Sequence, residues 1–382
     1  MIVFKIGVYI GFIVIGIVFF TDYFVNKITQ LKRFHIGRWD NKKQWEMAVQ
    51  KRALKWLNHT PVVRKTDNYQ YILCDILKGN YKSNTIQSWQ KAGLILGLAN
   101  MKEEESEKVI KRWEKEAIDS NGFWKAGVDK VDFSMLGYAV LTIEENPQKI
   151  KPAMEWVLRV LEKNLCKDNM ISYSQGKASS IRFVDTLGMV CPFLARYGRI
   201  YGEKKYTDLA IEQIREFRKN GLLQGSQLPC HAYCVDSGKP LGIYGWGRGT
   251  VWYMLALIDT YKELSEEDQK REMKKWIFDA ANEYKEYQKE DGGFYTILQG
   301  SGQYDSSVTV GMAYYYHCCA EIFENEEYYK VEEKCIKKLM TVTMKDGAID
   351  QCQGDTHGIG TFSQVFDVMP FAQGMCLRIM EK

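Results

Sequence analysis

Proline is scarce in this chain, with seven residues in 382, while aromatic residues are plentiful at 10 Trp, 23 Tyr and 17 Phe. That balance excludes a turn-rich β-sandwich and suits long, uninterrupted helices. Paired cysteines are missing as well. The ten cysteines include no two separated by the two residues of a zinc or redox pair, so a zinc ribbon is excluded. Several, such as Cys191 in MVCPFLA and Cys318 and Cys319 in YYYHCCAEI, read as reduced thiols packed as small hydrophobes. The five histidines, at 35, 59, 231, 317 and 357, form no HExxH pair, so metal catalysis has little support. Charge of one sign is lacking too: 52 Lys and Arg against 48 Asp and Glu leave a net +4, too little for a nucleic-acid footprint. With 46% hydrophobic and 26% charged residues the chain has the means for a large core and none of the marks of disorder.

One long hydrophobic run is present. Residues 6–20, IGVYIGFIVIGIVFF, carry no charge, and the apolar character continues to Val25 with a single Asp. A stretch of about 20 residues spans a bilayer core. The sequence that follows, TDYFVNKITQ, lacks the small residues of a signal-peptidase site, which favours an uncleaved anchor. Lys5 and the amino terminus flank one side and Lys27, Lys32 and Arg33 the other, a small excess that leans towards a cytoplasmic barrel. Residues 1–33 are therefore expected to be a transmembrane anchor with its juxtamembrane segment, and 34–382 one catalytic domain.

From Arg38 onward, apolar residues recur at i, i+3, i+4 and i+7 between short loops containing Gly, Asn or Asp. The pattern predicts twelve helices, over 42–58, 84–99, 106–119, 131–145, 149–163, 185–202, 204–220, 246–263, 267–288, 305–323, 326–342 and 363–380. They form six pairs of about 58 residues each, a helical-hairpin repeat. Odd-numbered helices are rich in Lys and Glu, as solvated outer helices are. Even-numbered ones (KAGLILGLA, TLGMVCPFLARY, GTVWYMLALI, VGMAYYYHCCA) carry Gly, Ala, Met and aromatics, as inner helices must. The expected fold is all-α: an (α/α)6 barrel of six helical hairpins, with a linear solenoid as its competitor.

The unusual residues precede inner helices. Asp132 opens DFSMLGYAV, Asp185 opens DTLGMVCPF, Arg248 lies in YGWGRGTVWY and Asp305 opens DSSVTVGMA, at spacings of 53, 63 and 57 residues, close to the repeat. All four should converge at one mouth of the ring, where helix N-termini and a polar ligand meet. Each Asp has an ordinary reading as a helix N-cap. Asp185 resists it, because Phe183 and Val184 before it and an inner helix after it would desolvate the carboxyl and raise its pKa towards that of a general acid. Asp132, one hairpin away, would add a like charge, and two carboxylates on adjacent inner helices fit glycoside chemistry. Trp124, Tyr233, Tyr244, Trp246, Trp252, Tyr295 and Tyr304 are candidates for stacking on sugar, against the ordinary reading of core packing. Arg248, among three glycines and one helical turn from Trp252, is a candidate for a substrate carboxylate. His231, after LPC, reads equally as a hydrogen-bonding group of the site or as a loop histidine.

At these residues the sequence resembles the unsaturated glycuronyl hydrolases of glycoside hydrolase families 88 and 105, especially the unsaturated rhamnogalacturonyl hydrolases. The blocks that carry it are FVDTLGMVCPFLARYGRIYGEKKY, LPCHAYCVDSGKP, YGWGRGTVWYMLALIDTY and DGGFYTILQGSGQYDSSVTVGMAYYY, with GAIDQCQGDTHGIGT resembling the family's closing glycine-rich loop. The resemblance implies an (α/α)6 barrel that hydrates the 4,5-double bond which lyases leave in a terminal uronate, with no cofactor or metal. It implies Asp185 as the residue that protonates C4 and then assists water at C5, and Asp132 as the second aspartate. It implies His231, Arg248 and Trp252 as substrate-binding residues, to which the reading of the mouth aromatics adds Trp246 and Tyr304. Thr250 stands where the family usually has Asn or Gln, and Asp305 where it usually has Glu. The implied substrates are unsaturated oligosaccharides derived from rhamnogalacturonan or pectin. Two other readings keep the barrel: a membrane-tethered sugar-binding or sensing protein without turnover, and a sugar epimerase, which would want two histidines facing the centre, from among His231, His317 and His357.

Overall fold

The computed structural model describes residues 1–61, 63, 67, 68, 70–79, 86–300 and 302–380. Helix α1 (Ile2–Lys32) exposes its apolar side chains, and its C-terminal half touches the short helix Ile72–Leu77. It is the one helix among the described residues long and apolar enough to cross a membrane, with a mean hydropathy of 2.2. Thereafter outer and inner helices alternate. They are α2 (Lys42–Asn58), a short α3 (Ile72–Leu77), α4 (Ser88–Met101), α5 (Glu104–Ala117), α6 (Phe133–Ile143), α7 (Lys151–Lys163), α8 (Val184–Tyr201) and α9 (Lys204–Gly221), followed by α10 (Gly247–Tyr261), α11 (Glu267–Tyr284), α12 (Ser306–Phe323), α13 (Glu326–Thr341) and α14 (Pro370–Leu377).

The inner helices α4, α6, α8, α10, α12 and α14 each pack on the next, and α14 returns to α4. A ring rather than an open solenoid results, with α2, α5, α7, α9, α11 and α13 outside it. The composition contrast explains the sorting. Every described residue of α10 from Gly247 to Thr260 is buried, whereas α5 buries only the stripe Ser106, Val109, Ile110 and Trp113. Closure depends on the absence of side chains where α4 meets α14: a Cβ on Gly97 would lie 2.1 Å from the Gly374 carbonyl oxygen. Gly97→Val is therefore expected to cost about 3 kcal/mol or more, read as a lower urea midpoint; an unchanged midpoint would mean that the ring does not close through this contact.

Three departures from the helical pattern matter for the site. The last inner helix starts at Pro370, not at 363, because proline fixes the first helical turn and holds Met369 extended (φ −136°, ψ 116°). Residues 350–367 are freed to form a loop whose base is a two-stranded ribbon, described below. The second expected helix starts at Ser88, and residues 84 and 85 lie outside the described residues. Finally, the fold is mostly helical rather than all-α. Strands β1 (Ile181–Phe183), β2 (Cys230–Cys234) and β3 (Lys239–Tyr244) make an antiparallel sheet, with Gly238 taking the left-handed conformation (φ +63°) in the β2–β3 turn. At the far end of the barrel, Arg378 donates to Asp259 (2.7 Å), and Arg196 and Arg199 donate to Glu263 (2.7 Å each), acids that are almost fully buried. The opposite end, where α8, α10 and α12 begin, is open.

Candidate active site

Pairing of β1 with β2 builds the centre of the mouth. Phe183 is opposite Ala232 in that register, so His231 on β2 stands beside Asp185, the second residue of α8. Arg248 is in the first turn of α10, Trp246 immediately precedes the helix and Trp252 lies one turn on. A Cβ on Gly247 would approach the Tyr295 carbonyl oxygen to 2.7 Å, which is why glycine flanks the arginine. Above them folds the closing loop. Strands β4 (Cys352–Gln353) and β5 (Phe366–Asp367) form its base, and its tip, Asp355 to Ile359, covers the cavity. Arg248 holds this loop from the barrel side: its two terminal nitrogens donate to the carbonyls of Gln353 and Gly354 at 2.6 Å each. Trp246 Nε1 donates to Gln353 Oε1 at 3.3 Å.

The cavity so enclosed measures about 420 Å³ and is walled by Trp89, Phe183, Trp246 and Trp252, with Asp185, His231, Arg248 and Asp355 among its polar groups. A larger groove of about 560 Å³ between α5 and the α6–α7 connection is lined by lysines and glutamates without an aromatic wall, as a solvated face is. The aromatic groups of the mouth pack on one another. His231 lies 4.6 Å from Trp246 and 5.7 Å from Phe362 between ring centroids, and Trp252 lies 5.0 Å from Phe371.

Asp185 lines this cavity with a raised carboxyl pKa. Burial pushes its carboxyl up to about 7, Arg248 and its own backbone N–H oppose the rise, and Asp355 adds to it. Its Oδ2 is buried and has no hydrogen-bond partner. His231 Nε2 is 3.8 Å from that oxygen. Burial and the Arg248 charge lower the His231 pKa to about 4, so the imidazole is neutral at pH 7. Its Nδ1 accepts from the Gly360 N–H at 3.5 Å, which leaves the proton on Nε2, facing Asp185.

The other expected residues are distributed less simply. Asp132 precedes α6 but makes no capping hydrogen bond, so the N-cap reading fails. Burial raises its pKa, its Oδ1 lacks a partner, and it is not among the residues that line the cavity. The like charge that lifts Asp185 comes chiefly from Asp355 of the closing loop, not from Asp132. Asp305 is a true cap: its Oδ1 accepts from the Ser307 N–H at 2.8 Å and from Gln353 N–H at 3.2 Å, bracing the closing loop. Tyr304 does not face the cavity. It lies beneath the Lys338 ammonium (4.5 Å to the ring centre), and its ring fills the space over Gly293, an outward position set by the Tyr295–Tyr304 bridge. Trp124, Tyr233, Tyr244 and Tyr295 also stay off the cavity wall; Trp124 donates to the Ala153 carbonyl (2.9 Å) and Tyr233 packs on Phe217. His317 lies within α12 with Nδ1 3.1 Å from Glu332.

Tyr173 and Asp355 line the mouth from loops and carry no helical signal, and Gln87, expected inside the second helix, lines it as the residue just before Ser88. Tyr173 is the most informative of them. Its phenol is raised first by burial and then by the charges of Asp132, Asp185 and Asp355, so all three carboxylates act on one hydroxyl.

The closed ring of helical hairpins defines the architecture as an α/α barrel. The sequence profile of Glycosyl Hydrolase Family 88 matches residues 68–380, and the chain belongs to that family of unsaturated uronyl hydrolases. Solved structures share the fold at low identity. A possible member of glycoside hydrolase family 105 from Salmonella enterica is 17% identical, with a TM-score of 0.72 over 90% of this chain and 94% of that one. Another from Klebsiella pneumoniae is 17% identical, with a TM-score of 0.74 over 90% and 93%. An unsaturated glucuronyl hydrolase responsible for the degradation of glycosaminoglycan, from a Bacillus species, is 16% identical, with a TM-score of 0.61 over 87% and 93%. No functionally curated protein matches the sequence.

Proposed function

We propose that the protein is a membrane-anchored hydrolase that releases the terminal 4,5-unsaturated uronate from short oligosaccharides, with residues 1–33 as anchor and 34–382 as catalytic domain. The observation that carries this reading is the Asp185 carboxyl on the wall of an aromatic cavity, held near pH 7 with one of its oxygens buried and unpartnered beside His231. Asp185 gives its proton to C4 of the double bond, and positive charge develops at C5 and the ring oxygen. The resulting carboxylate takes a proton from water as the water oxygen bonds to C5. The hemiketal formed there opens and frees the sugar. Asp132 supports this centre through its charge on the mouth, His231 offers its Nε2 proton to a substrate oxygen, and Trp246 and Trp252 give the ring its walls. Arg248 retains three of its five N–H donors after holding the loop, enough to meet the uronate carboxylate.

Charge also bears on the next sugar. Among the described lining residues Arg248 is the one Lys or Arg, and it is accompanied by Asp185 and Asp355. A second anionic group, such as a sulfate, would meet a carboxylate, so an unsulfated, pectin-type leaving sugar fits better. The exposed helix α1, about 45 Å long at 1.5 Å per residue, exceeds a bilayer core of about 30 Å and supports the anchor reading.

The test follows the ultraviolet absorbance of the unsaturated uronate with the full chain in detergent. Unsaturated rhamnogalacturonan disaccharide is expected to lose absorbance, with kcat/KM at least about tenfold above that of sulfated glycosaminoglycan disaccharides. Equal rates on both would remove the charge argument. Tight binding without absorbance loss would favour a sugar-binding protein instead.

A further inference from the structure

The C-terminal end of α1 does not simply lead away from the membrane. Arg33, the residue that follows its last turn, places Nε against Asp350 Oδ2 and donates from one terminal nitrogen to Asp350 Oδ1 and to the Phe366 carbonyl, both at 2.9 Å. Those two residues stand at the two roots of the closing loop: Asp350 just before β4, Phe366 within β5. Asp350 is completely buried, and its own carbonyl accepts from Ser306 Oγ at 2.6 Å. One guanidinium therefore ties both roots together from outside, while Arg248 holds the same ribbon from inside through Gln353 and Gly354.

A second route runs from the same helix to the same loop. Asp22 of α1 accepts from the N–H groups of Tyr71 and Ile72 at 2.8 Å each, fastening the start of α3. From the same α2–α4 connection, Asp67 accepts from Ser363 Oγ (2.6 Å) and from the Gln364 N–H (2.9 Å), and stands 3.3 Å from His357 Nε2. The loop whose tip roofs the cavity is thus held at its roots and along its returning arm by groups belonging to, or fastened to, α1.

We infer that Arg33 is a positioning residue for the cavity, through which the N-terminal helix holds the closing loop over the substrate. The helix is then a working part of the enzyme as well as its anchor. Without the Arg33 fork the ribbon keeps its inner clamp but loses its outer one, and Asp355 and His357 at the tip no longer hold one position relative to Asp185. Such a change weakens binding more than chemistry, because the acid itself rests on α8.

The test uses the full chain in detergent as wild type, Arg33→Ala, Arg33→Lys and the double variant Arg33→Ala/Asp350→Asn. The double variant removes the buried charge that the single one strands, so that it melts like wild type. Hydrogen exchange of the Gly354 and His357 amides, which donate to Val365 and Thr361, is expected to quicken about tenfold in Arg33→Ala and in the double variant while α8 and α10 keep their protection. KM for the disaccharide is expected to rise about tenfold in both, with kcat within about threefold of wild type and Arg33→Lys between the two. Wild-type exchange and KM in the double variant would reduce Arg33 to a neutraliser of Asp350 and overturn the inference. The kinetic arm rests on the hydrolase reading; the exchange arm does not. If wild type turns over no disaccharide, that reading fails, and unchanged exchange at the loop remains the result that overturns this one.

Discussion

Asp185→Asn is expected to lower kcat/KM by about a thousandfold or more while raising the stability of the folded chain at alkaline pH. Both effects come from one cause. The cavity disfavours the charged form, so that the carboxyl titrates at about 7 rather than at its ordinary 3.8. A proton donor must hold its proton, so kcat/KM is expected to be flat below pH 7 and to fall tenfold per unit above it. His231, lowered to about 4, adds no limb between pH 5 and 8. For stability the sign is opposite to that of a salt-bridged carboxylate. The folded chain holds the proton more tightly than the unfolded chain, so stability falls as pH rises from 3.8 to 7, and the full cost is present above 7. Three pH units bound that cost at roughly 4 kcal/mol. Asparagine removes it, and thermal melts of the variant should lie above wild type at pH 8 and coincide with it near pH 4. A variant that melts below wild type at pH 8 would show that the Asp185 charge is not a burden to the fold.

Arg248→Ala should lower kcat/KM by about a hundredfold and also move the pH profile. The guanidinium opposes the rise of both Asp185 and Asp305, so its loss leaves two buried carboxyls with less compensation and shifts the falling limb to higher pH. It also frees the Gln353 and Gly354 carbonyls, loosening the loop from inside. Arg248→Lys is not expected to restore the rate, because a point charge cannot span two carbonyls with a planar fork. A limb that stays near pH 7 in Arg248→Ala would contradict the assigned coupling.

The helices were legible because their signal is local. Period and loop chemistry located α2 to the residue and α12 and α13 to within one, and the contrast between Lys- and Glu-rich and Gly- and aromatic-rich helices identified the inner ring. The same logic placed Asp185 and Arg248 at one end of adjacent inner helices. It failed for Tyr304, where an aromatic beside an inner helix faces outward because a bridge to Tyr295 turns it. It was silent on Tyr173 and Asp355, whose membership of the cavity depends on where loops fold back.

By itself, then, the sequence determined the hairpin repeat, the sorting of inner from outer helices and the end of the barrel where chemistry belongs, since each is encoded in side chains within a few turns of one another. Tertiary structure alone decided that Asp355 lifts Asp185, that Arg248 spends two donors on the closing loop, and that α1 reaches that loop through Arg33. Those relations join groups from about one hundred to more than three hundred residues apart, and only the closed ring and the folded-back ribbon bring them within range of a charge or a hydrogen bond.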